Sequence, residues 1–446
     1  MLKFLLGVVL IAVGFAGALF IDPVWGLYLF AGFTHIRLEQ LGESISLPLR
    51  VPIVVAGLTV VLYLGSSLYR NKFSRWPAEV WLLALMVIGM CFGSASSQYN
   101  AEASWDLTSQ YAKYWVFFVL FIQMMDSEKK IAQFHWVMVV SAAWLVYRCW
   151  DLRGTTGARF ENLGGGTVQD SNHFAAALVL LFPFVLHKIL DKRKGIAIGA
   201  AILSFGVLAS IVISGSRGGA LGFIALALFG AVTLKQHRKK IIVGIAVLGV
   251  AGLFIASESQ IERLSTIMSA THQEQRDESA QLRIDFWKLA GELFREHPVF
   301  GVGPNNFVYF SGPRVENLPP GKPGHVTHSI WFELISERGL FGAVPFAIML
   351  FRFFRNSRRI AAQYIARGQP EMAQYVQVPM LGLAAFLVSA TFLDRLVYEP
   401  IYWCIALGVA HRYLFEASLK STTPVPRPEP AVRPIGVPAT SSRRLR

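Results

Sequence analysis

Four short stretches carry residue types that can do chemistry. ISGSRGGALG (213–222) sets Arg217 between two apolar runs. GARFENLGGGTVQDSNHF (157–174) holds Arg159, Asp170, Asn172 and His173 around a triple glycine. SAQLRIDFWKLAGELFREHP (279–298) carries Arg283, Lys288 and Arg295, and GHVTHSIWFELISERGLFG (324–342) carries His325 and His328. Arginine presents a fork of donors that matches phosphate or carboxylate oxygens and stays charged at every relevant pH. A histidine at a helix start titrates near neutrality and can take or lend a proton. Each has a plainer use. The glycines at 164–166 can make an amide nest for phosphate or a flexible connector. Arg283 can face a cleft or a headgroup, and His328 can cap or pack. His325 and His328 stand three apart, but no third metal ligand is evident.

These residues have to be held by membrane helices. The chain has 446 residues, 54% hydrophobic and 16% charged, against roughly 25% charged in soluble domains. Apolar runs predict spans near 3–21, 51–69, 78–96, 108–125, 131–150, 172–190, 196–214, 218–234, 241–257, 328–351, 374–393 and 400–416. The expected fold is therefore all-α, a polytopic helical membrane bundle with about 12 spans. Residues 24–33 are too few to cross and are expected to be re-entrant or interfacial. The run 4–20 reads as a retained span, because no small-residue cleavage site follows it.

The net charge of +14 does not indicate nucleic acid, since no aromatic-interleaved basic stripe is present. The cations fall in YRNKFSR (69–75), EKK (128–130), HKILDKRK (187–194), KQHRKK (235–240) and FRFFRNSRR (351–359). These loops alternate and predict a cytoplasmic side, which also takes both termini. The loops 151–171 and 257–327 then lie outside, together with the SGSRGG turn, so Arg217 escapes most of the cost of an arginine at the bilayer centre. Residues 421–446, rich in Pro, Arg and Ser, are expected to be a disordered cytoplasmic tail able to touch anionic lipid. Cys91, Cys149 and Cys404 show no metal spacing and predict no disulfide framework.

Within the second outer loop, Leu282, Phe286, Leu289 and Leu293 recur at helical spacing. They predict an amphipathic helix at the membrane surface, ended by Pro298.

In order and spacing, these motifs resemble the O-antigen ligase/polymerase superfamily. The family pattern runs from an arginine before a tryptophan to a Pro-x-x-Gly-x-Gly turn, a histidine and Glu-x-Gly. Here it is met by Arg283, Trp287, Pro298/Gly301/Gly303, His328 and Glu337-Arg338-Gly339. The resemblance covers 165–345, and Ser329 stands where the family commonly has asparagine. It implies a GT-C-like transmembrane domain over 1–420, in the bacterial inner membrane. That domain would move a glycan from undecaprenyl pyrophosphate to a hydroxyl at the periplasmic face, with inversion, no metal and no other cofactor.

The acceptor is then lipid A-core, or a protein. DPVWGLYLFAGFTHIRLEQLG (22–42) resembles a subgroup found beside exosortase systems and labelled O-glycosylation ligases. A polymerase of repeat units is a third reading. Arg217, Arg283 and His328 are expected to be catalytic, the arginines cradling pyrophosphate and His328 serving as base or pyrophosphate ligand. Arg159, Asp170, Asn172 and Arg338 are expected to bind substrate. A transporter would instead want ionisable groups near mid-span and inverted repeats, neither of which is evident.

Overall fold

The computed structural model describes residues 2–36, 51–69, 73–151, 170–234, 238–239, 244, 278–315, 324–394 and 396–422. The described residues form fourteen helices and no strand element. They are α1 (Leu2–Phe20), α2 (Val24–Phe33), α3 (Val51–Gly65), α4 (Ala78–Ala95), α5 (Ala101–Met124), α6 (Glu128–Asp151), α7 (Ser171–Lys188), α8 (Lys194–Ile213), α9 (Arg217–Thr233), α10 (Glu278–Glu296), α11 (Phe307–Arg314), α12 (Ile330–Ala366), α13 (Pro370–Ala390) and α14 (Glu399–Thr422). The expected span 241–257 apart from Gly244, the tail beyond Thr422, Arg153, Arg159, Arg263, Arg276 and the triple glycine lie outside the described residues.

This is a polytopic helical membrane protein. Among the described helices α4, α8, α12 and α13 are long and apolar enough to cross a bilayer, and α2, α3, α9 and Val8–Phe20 of α1 are shorter apolar helices. The bundle is organised on α7 and α13. Residues Phe174 to Val185 of α7 are all buried, the mark of a helix covered on every side. α13 packs against α7, α9 and α12. Association in lipid relies on close backbone approach at small residues. An added Cβ at Gly222 of α9 would overlap Ser389 of α13, and one at Gly382 of α13 would overlap the Leu180 carbonyl of α7. Exposed Ile198, Ile202 and Phe205 on α8, and Ile224, Leu228 and Val232 on α9, present an apolar exterior.

One end of the bundle gathers the basic connections. Arg75 donates to the Ile122 carbonyl at 3.1 Å and lies over the Tyr413 ring at 5.2 Å. Arg352 and Arg412 both reach Glu79, at 2.9 and 3.5 Å. α12 continues as helix well past the expected end of its span, burying Ile360, Ala361 and Tyr364 against Ala373, Val376 and Phe415.

Two expectations change. Val24–Phe33, expected to be re-entrant or interfacial, does not lie on the surface of the bundle: it is a buried helix inside it, with Val24, Leu27, Tyr28 and Ala31 covered and Phe30 stacked on Phe117 at 3.9 Å. Its start is fixed at the basic end. Asp22 caps Val24 (2.9 Å), accepts from Tyr69 (2.6 Å) and pairs with Lys130 (3.0 Å). Its other end reaches the start of α14, where Thr34 donates to Glu399 (2.5 Å) and His35 meets Tyr398 (2.7 Å). Gly17 faces Trp25 and Gly14 faces Leu29, so α1 and α2 form an antiparallel pair bent at Asp22. The start of α1 then lies toward the end opposite the basic connections, against the expectation that both termini are cytoplasmic. Hydropathy alone counts only the ten apolar residues of α2, whereas buried hydrogen bonds carry the chain onward through Thr34 and His35.

The second change concerns α10. Its stripe of Phe286, Leu289, Ala290 and Leu293 is covered by Val302, Phe307, Phe310 and Val315 of the following turn and α11, forming a small second core. The chain itself supplies the apolar cover that a membrane surface was expected to give.

The bend at Asp22 is open to a topology test. Phe20, 85% exposed at the end of α1, stands with Leu68 at the basic end. Cysteines at Phe20 and Leu68 are expected to react with a membrane-impermeant maleimide from one side, and one at Glu102 from the other. Phe20 reacting from the Glu102 side would restore the interfacial reading of 24–33.

Candidate functional site

The start of α12 is positioned by a lock between two glycine-containing turns. Gly301 and Gly339 both have positive φ (69° and 56°). An added Cβ on Gly301 would overlap the Glu337 backbone, and one on Gly339 would come within 2.6 Å of the Gly301 nitrogen. The strands of chain pair where side chains would have held them apart. Val302 N–H donates to the Ser336 carbonyl (2.9 Å), Leu340 N–H to Pro298 (2.8 Å) and Phe341 N–H to Val299 (3.1 Å). Glu337 closes the lock by accepting from the N–H groups of Asn305 (2.9 Å) and Phe307 (3.1 Å).

Arg338 belongs to this lock. It is essentially inaccessible, 3.0 Å from Glu333 and 3.5 Å from Glu337, with its guanidinium over the Tyr111 ring at 5.4 Å. Two carboxylates and a ring face neutralise and cover it, so it is not among the side chains presented with His328. Glu333 also accepts from Leu396 N–H at 3.3 Å, which draws the connector between α13 and α14 onto the start of α12.

α10 fastens the turn that carries His328. Trp287 Nε1–H donates to the Thr327 carbonyl at 3.1 Å, and its ring stacks on Phe332 at 5.3 Å. His328 takes a left-handed conformation, φ 50°, unusual for a non-glycine residue. The Thr327 hydroxyl bonds the Ser329 carbonyl (3.0 Å) and steadies it. Phe286 lies 6.2 Å from the His328 ring. Burial first, then the positive charge of Arg283 and the neighbouring His325 and His173, lower the His328 pKa to about 4. The imidazole is therefore neutral at neutral pH and able to accept a proton.

The other wall comes from the starts of α7 and α9. Asp170 caps α7, accepting from the N–H groups of Asn172 (2.7 Å) and His173 (3.0 Å), and its second oxygen meets His173 Nδ1 at 2.5 Å. Burial opposes charge on Asp170, but the bonds from His173 and Asn172 prevail and hold its pKa well below the usual carboxylate range. Ser216 caps α9 by accepting from Gly219 N–H (3.1 Å) and donates to Asn172 (2.9 Å). That bond sets half-buried Arg217, the first residue of α9, beside the start of α7.

Asp394 joins the two walls. Its Oδ1 lies 3.9 Å from His173 Nε2 and 3.8 Å from His328 Nδ1. Among the described residues, the structure therefore brings Arg217, Asp170, Asn172, Arg283 and His328 to one end of the bundle, opposite Asp22 and Lys130. Arg159 lies outside the described residues. Sequence reasoning missed Asp394 altogether and gave His173 no role. The available signal was a carboxylate in the short connector TFLDRLVYEP (391–400), between two expected spans on the side already holding the other groups.

A helical membrane bundle with two histidines, a shared carboxylate and arginines at one end defines a class suited to polar transfer chemistry at a membrane surface. Residues 198–347 match the family model described as O-antigen ligase, which supports the chain's place in the O-antigen ligase superfamily. The match runs from within α8 to within α12 and takes in Arg217, Arg283, His328 and the lock at Glu337. It implies O-antigen ligase or related polymerase activity, with a lipid-linked glycan and an acceptor as partners at a membrane. No curated protein matches the chain.

The placement of Arg338 makes a prediction. Removing one partner from a buried ion pair costs about 3–5 kcal/mol. Arg338→Ala is thus expected to lower the melting temperature and the amount of inserted protein. A stably folded variant with only a raised KM for the lipid-linked donor would return Arg338 to substrate binding.

Proposed function

We propose that the chain transfers a glycan from undecaprenyl pyrophosphate to a lipid A-core hydroxyl at the periplasmic face of the bacterial inner membrane. The observation that carries this reading is Asp394 Oδ1 standing 3.8 Å from His328 Nδ1 and 3.9 Å from His173 Nε2, with Arg283 close enough to depress the His328 pKa. The basic connections at the opposite end support a periplasmic site through the positive-inside rule.

The acceptor hydroxyl approaches His328, whose Nε2 takes its proton while Asp394 steadies the developing imidazolium from the Nδ1 side. The freed oxygen forms a bond to the anomeric carbon from the face opposite the leaving group, so the configuration inverts. The bond from that carbon to the pyrophosphate oxygen breaks, and undecaprenyl pyrophosphate leaves with the electron pair. Arg217 and Arg283 receive the added negative charge with bidentate, charge-assisted hydrogen bonds. They are fixed cations already in place, and the reading is accordingly metal-independent. The activated donor supplies the driving force, so no nucleotide takes part.

The test is transfer in vesicles carrying the lipid-linked donor and lipid A-core. A positioned base contributes about 10²–10⁴ in rate, so His328→Ala should lose that much in kcat. A preorganised stabiliser of developing charge is worth about 10²–10³, so Arg217→Ala and Arg283→Ala should each lose that much. Asp394→Asn should lower kcat while KM for the donor holds. Undiminished transfer by inserted His328→Ala and Arg283→Ala would defeat the assignment.

The pH profile gives an independent check. A base must be unprotonated, and kcat/KM reports the free enzyme. Its acid limb is expected near pH 4, the lowered His328 value, rather than near 6.5. A limb at the ordinary histidine value would show that His328 is not the base.

A further inference from the structure

The outer half of α5 has an exterior unlike the apolar outer faces of α8 and α9. Glu102, Trp105, Asp106, Ser109, Gln110 and Lys113 are exposed, and their spacing of three and four places them along one side of the helix. The opposite side, with Ser104, Thr108 and Tyr111, is buried. On α8 and α9 the exposed residues in this position are isoleucine, leucine and phenylalanine. Glu102 and Lys113 are eleven positions apart, roughly 16 Å along a helix. Charges strung over that depth do not face hydrocarbon, so this side of α5 borders water or polar groups.

Aromatic rings stand at the mouth of the stripe. Tyr99 is 58% exposed, Trp105 46% and Tyr309 39%. Scattered apolar residues are ordinary on a surface, but adjoining exposed rings amid polar groups mark a binding face. Tyr99 and Tyr309 are parallel within 6°, centroids 6.3 Å apart, and Phe310 meets Tyr99 edge-on at 4.7 Å. The platform is braced from behind. Asn100 Nδ2 donates to the Tyr309 hydroxyl (2.6 Å), Asn100 N–H donates to Asn306 (3.0 Å), and Asn306 donates to Ser104 (2.7 Å). These bonds tie the start of α5 to the turn that Glu337 holds.

Ring contacts connect the platform to the proposed site: His328 to Phe286 at 6.2 Å, Phe286 to Phe307 at 6.4 Å, then Phe310 one turn further along α11 and in contact with Tyr99. Phe286, Phe307 and Phe310 are themselves buried, so these contacts fix the platform relative to the proposed site through the small second core.

From this we infer that Tyr99, Tyr309, Trp105 and the polar stripe of α5 form a glycan-binding face, holding sugars remote from the reacting one. Sugar rings present C–H faces that lie flat on aromatic rings and hydroxyls that donate to carboxylates and amides, the two kinds of group found here. The carboxylates of Glu102 and Asp106 disfavour an anionic headgroup at the same place. The inference rests on the transferase reading only for the source of the glycan, which is either the donor's or the acceptor's.

The experiment measures binding apart from transfer. Full-length protein in detergent is titrated with two lipid-free probes released by mild acid, the O-glycan and the core oligosaccharide, and followed by saturation-transfer NMR. Loss of an aromatic anchor commonly costs more than about 1 kcal/mol, so Trp105→Ala and Tyr309→Ala should each weaken one probe at least about fivefold. Trp105→Phe, which keeps a ring, should recover most of the loss. The probe affected identifies the donor or the acceptor as the source. His328→Ala should bind as the wild type does while failing to transfer. Unchanged affinity in the ring variants, or no binding of either probe by the wild type, would overturn the glycan face. A wild type that binds but does not transfer would instead count against the transferase reading alone.

Discussion

Much of the site end depends on one carboxylate. Glu337 accepts from the N–H groups of Asn305 and Phe307 and lies beside Arg338, all away from bulk water. A carboxyl group in such a place gives up its hydration, which must be offset by hydrogen bonds from the protein, so the arrangement holds only if both backbone donors and the guanidinium stay in place. The turn 298–307 is thereby made rigid. α10 and α11 pack on that turn, Trp287 of α10 holds Thr327, and His328 follows. The left-handed conformation of His328, the proposed base, is thus supported by a chain of contacts that begins two turns into α12.

The same lock explains what could be read from the sequence and what could not. Helices α3, α4, α7, α8, α9 and α13 follow from apolar runs, because lipid or a packed interior demands them along their whole length. The outer half of α5 was not legible. Glu102, Asp106 and Lys113 break the apolar run, and the helix persists there because Ser104 and Thr108 satisfy their hydroxyls against Pro304 and Ser94. The prolongation of α12 was missed because hydropathy stops at its first arginines while packing on α13 and α14 continues. The stripe on α10 was visible, but its cover was not, since amphipathicity states that a face is buried and never what buries it.

Among the site residues, Arg217, Arg283 and His328 could be chosen because each interrupts an apolar pattern at the edge of a span or on an amphipathic helix. Arg338 passed the same filter. What separates it from them is a pair of carboxylates, Glu333 five residues back and Glu337 adjacent, which lie 3.0 and 3.5 Å from its guanidinium. Asp394 failed the filter because a carboxylate in a short connector is ordinary by itself. Its meaning comes from Leu396 bonding Glu333, which folds the connector onto the start of α12 and turns a loop aspartate toward two imidazoles.

The starts of three helices bear on the charge such a site can hold. α7 and α9 are joined there by the Ser216–Asn172 bond, and α7 and α12 by the two histidines facing Asp394. Helix N-termini carry partial positive charge, to which Arg217 and Arg283 add full charges. Against these stand Asp170, spent on capping α7 and holding His173, and Asp394. The 3.8 and 3.9 Å separations exceed hydrogen-bond length, so neither imidazole is committed to Asp394 by direct contact. In the proposed reaction a hydroxyl at His328 Nε2 finds its acceptor on the ring edge away from Asp394, while an anion beside the arginines would add to their pull that of the positive helix ends. In that reaction Asp394 serves the imidazole that takes the proton, and Arg217 and Arg283 serve the departing phosphate.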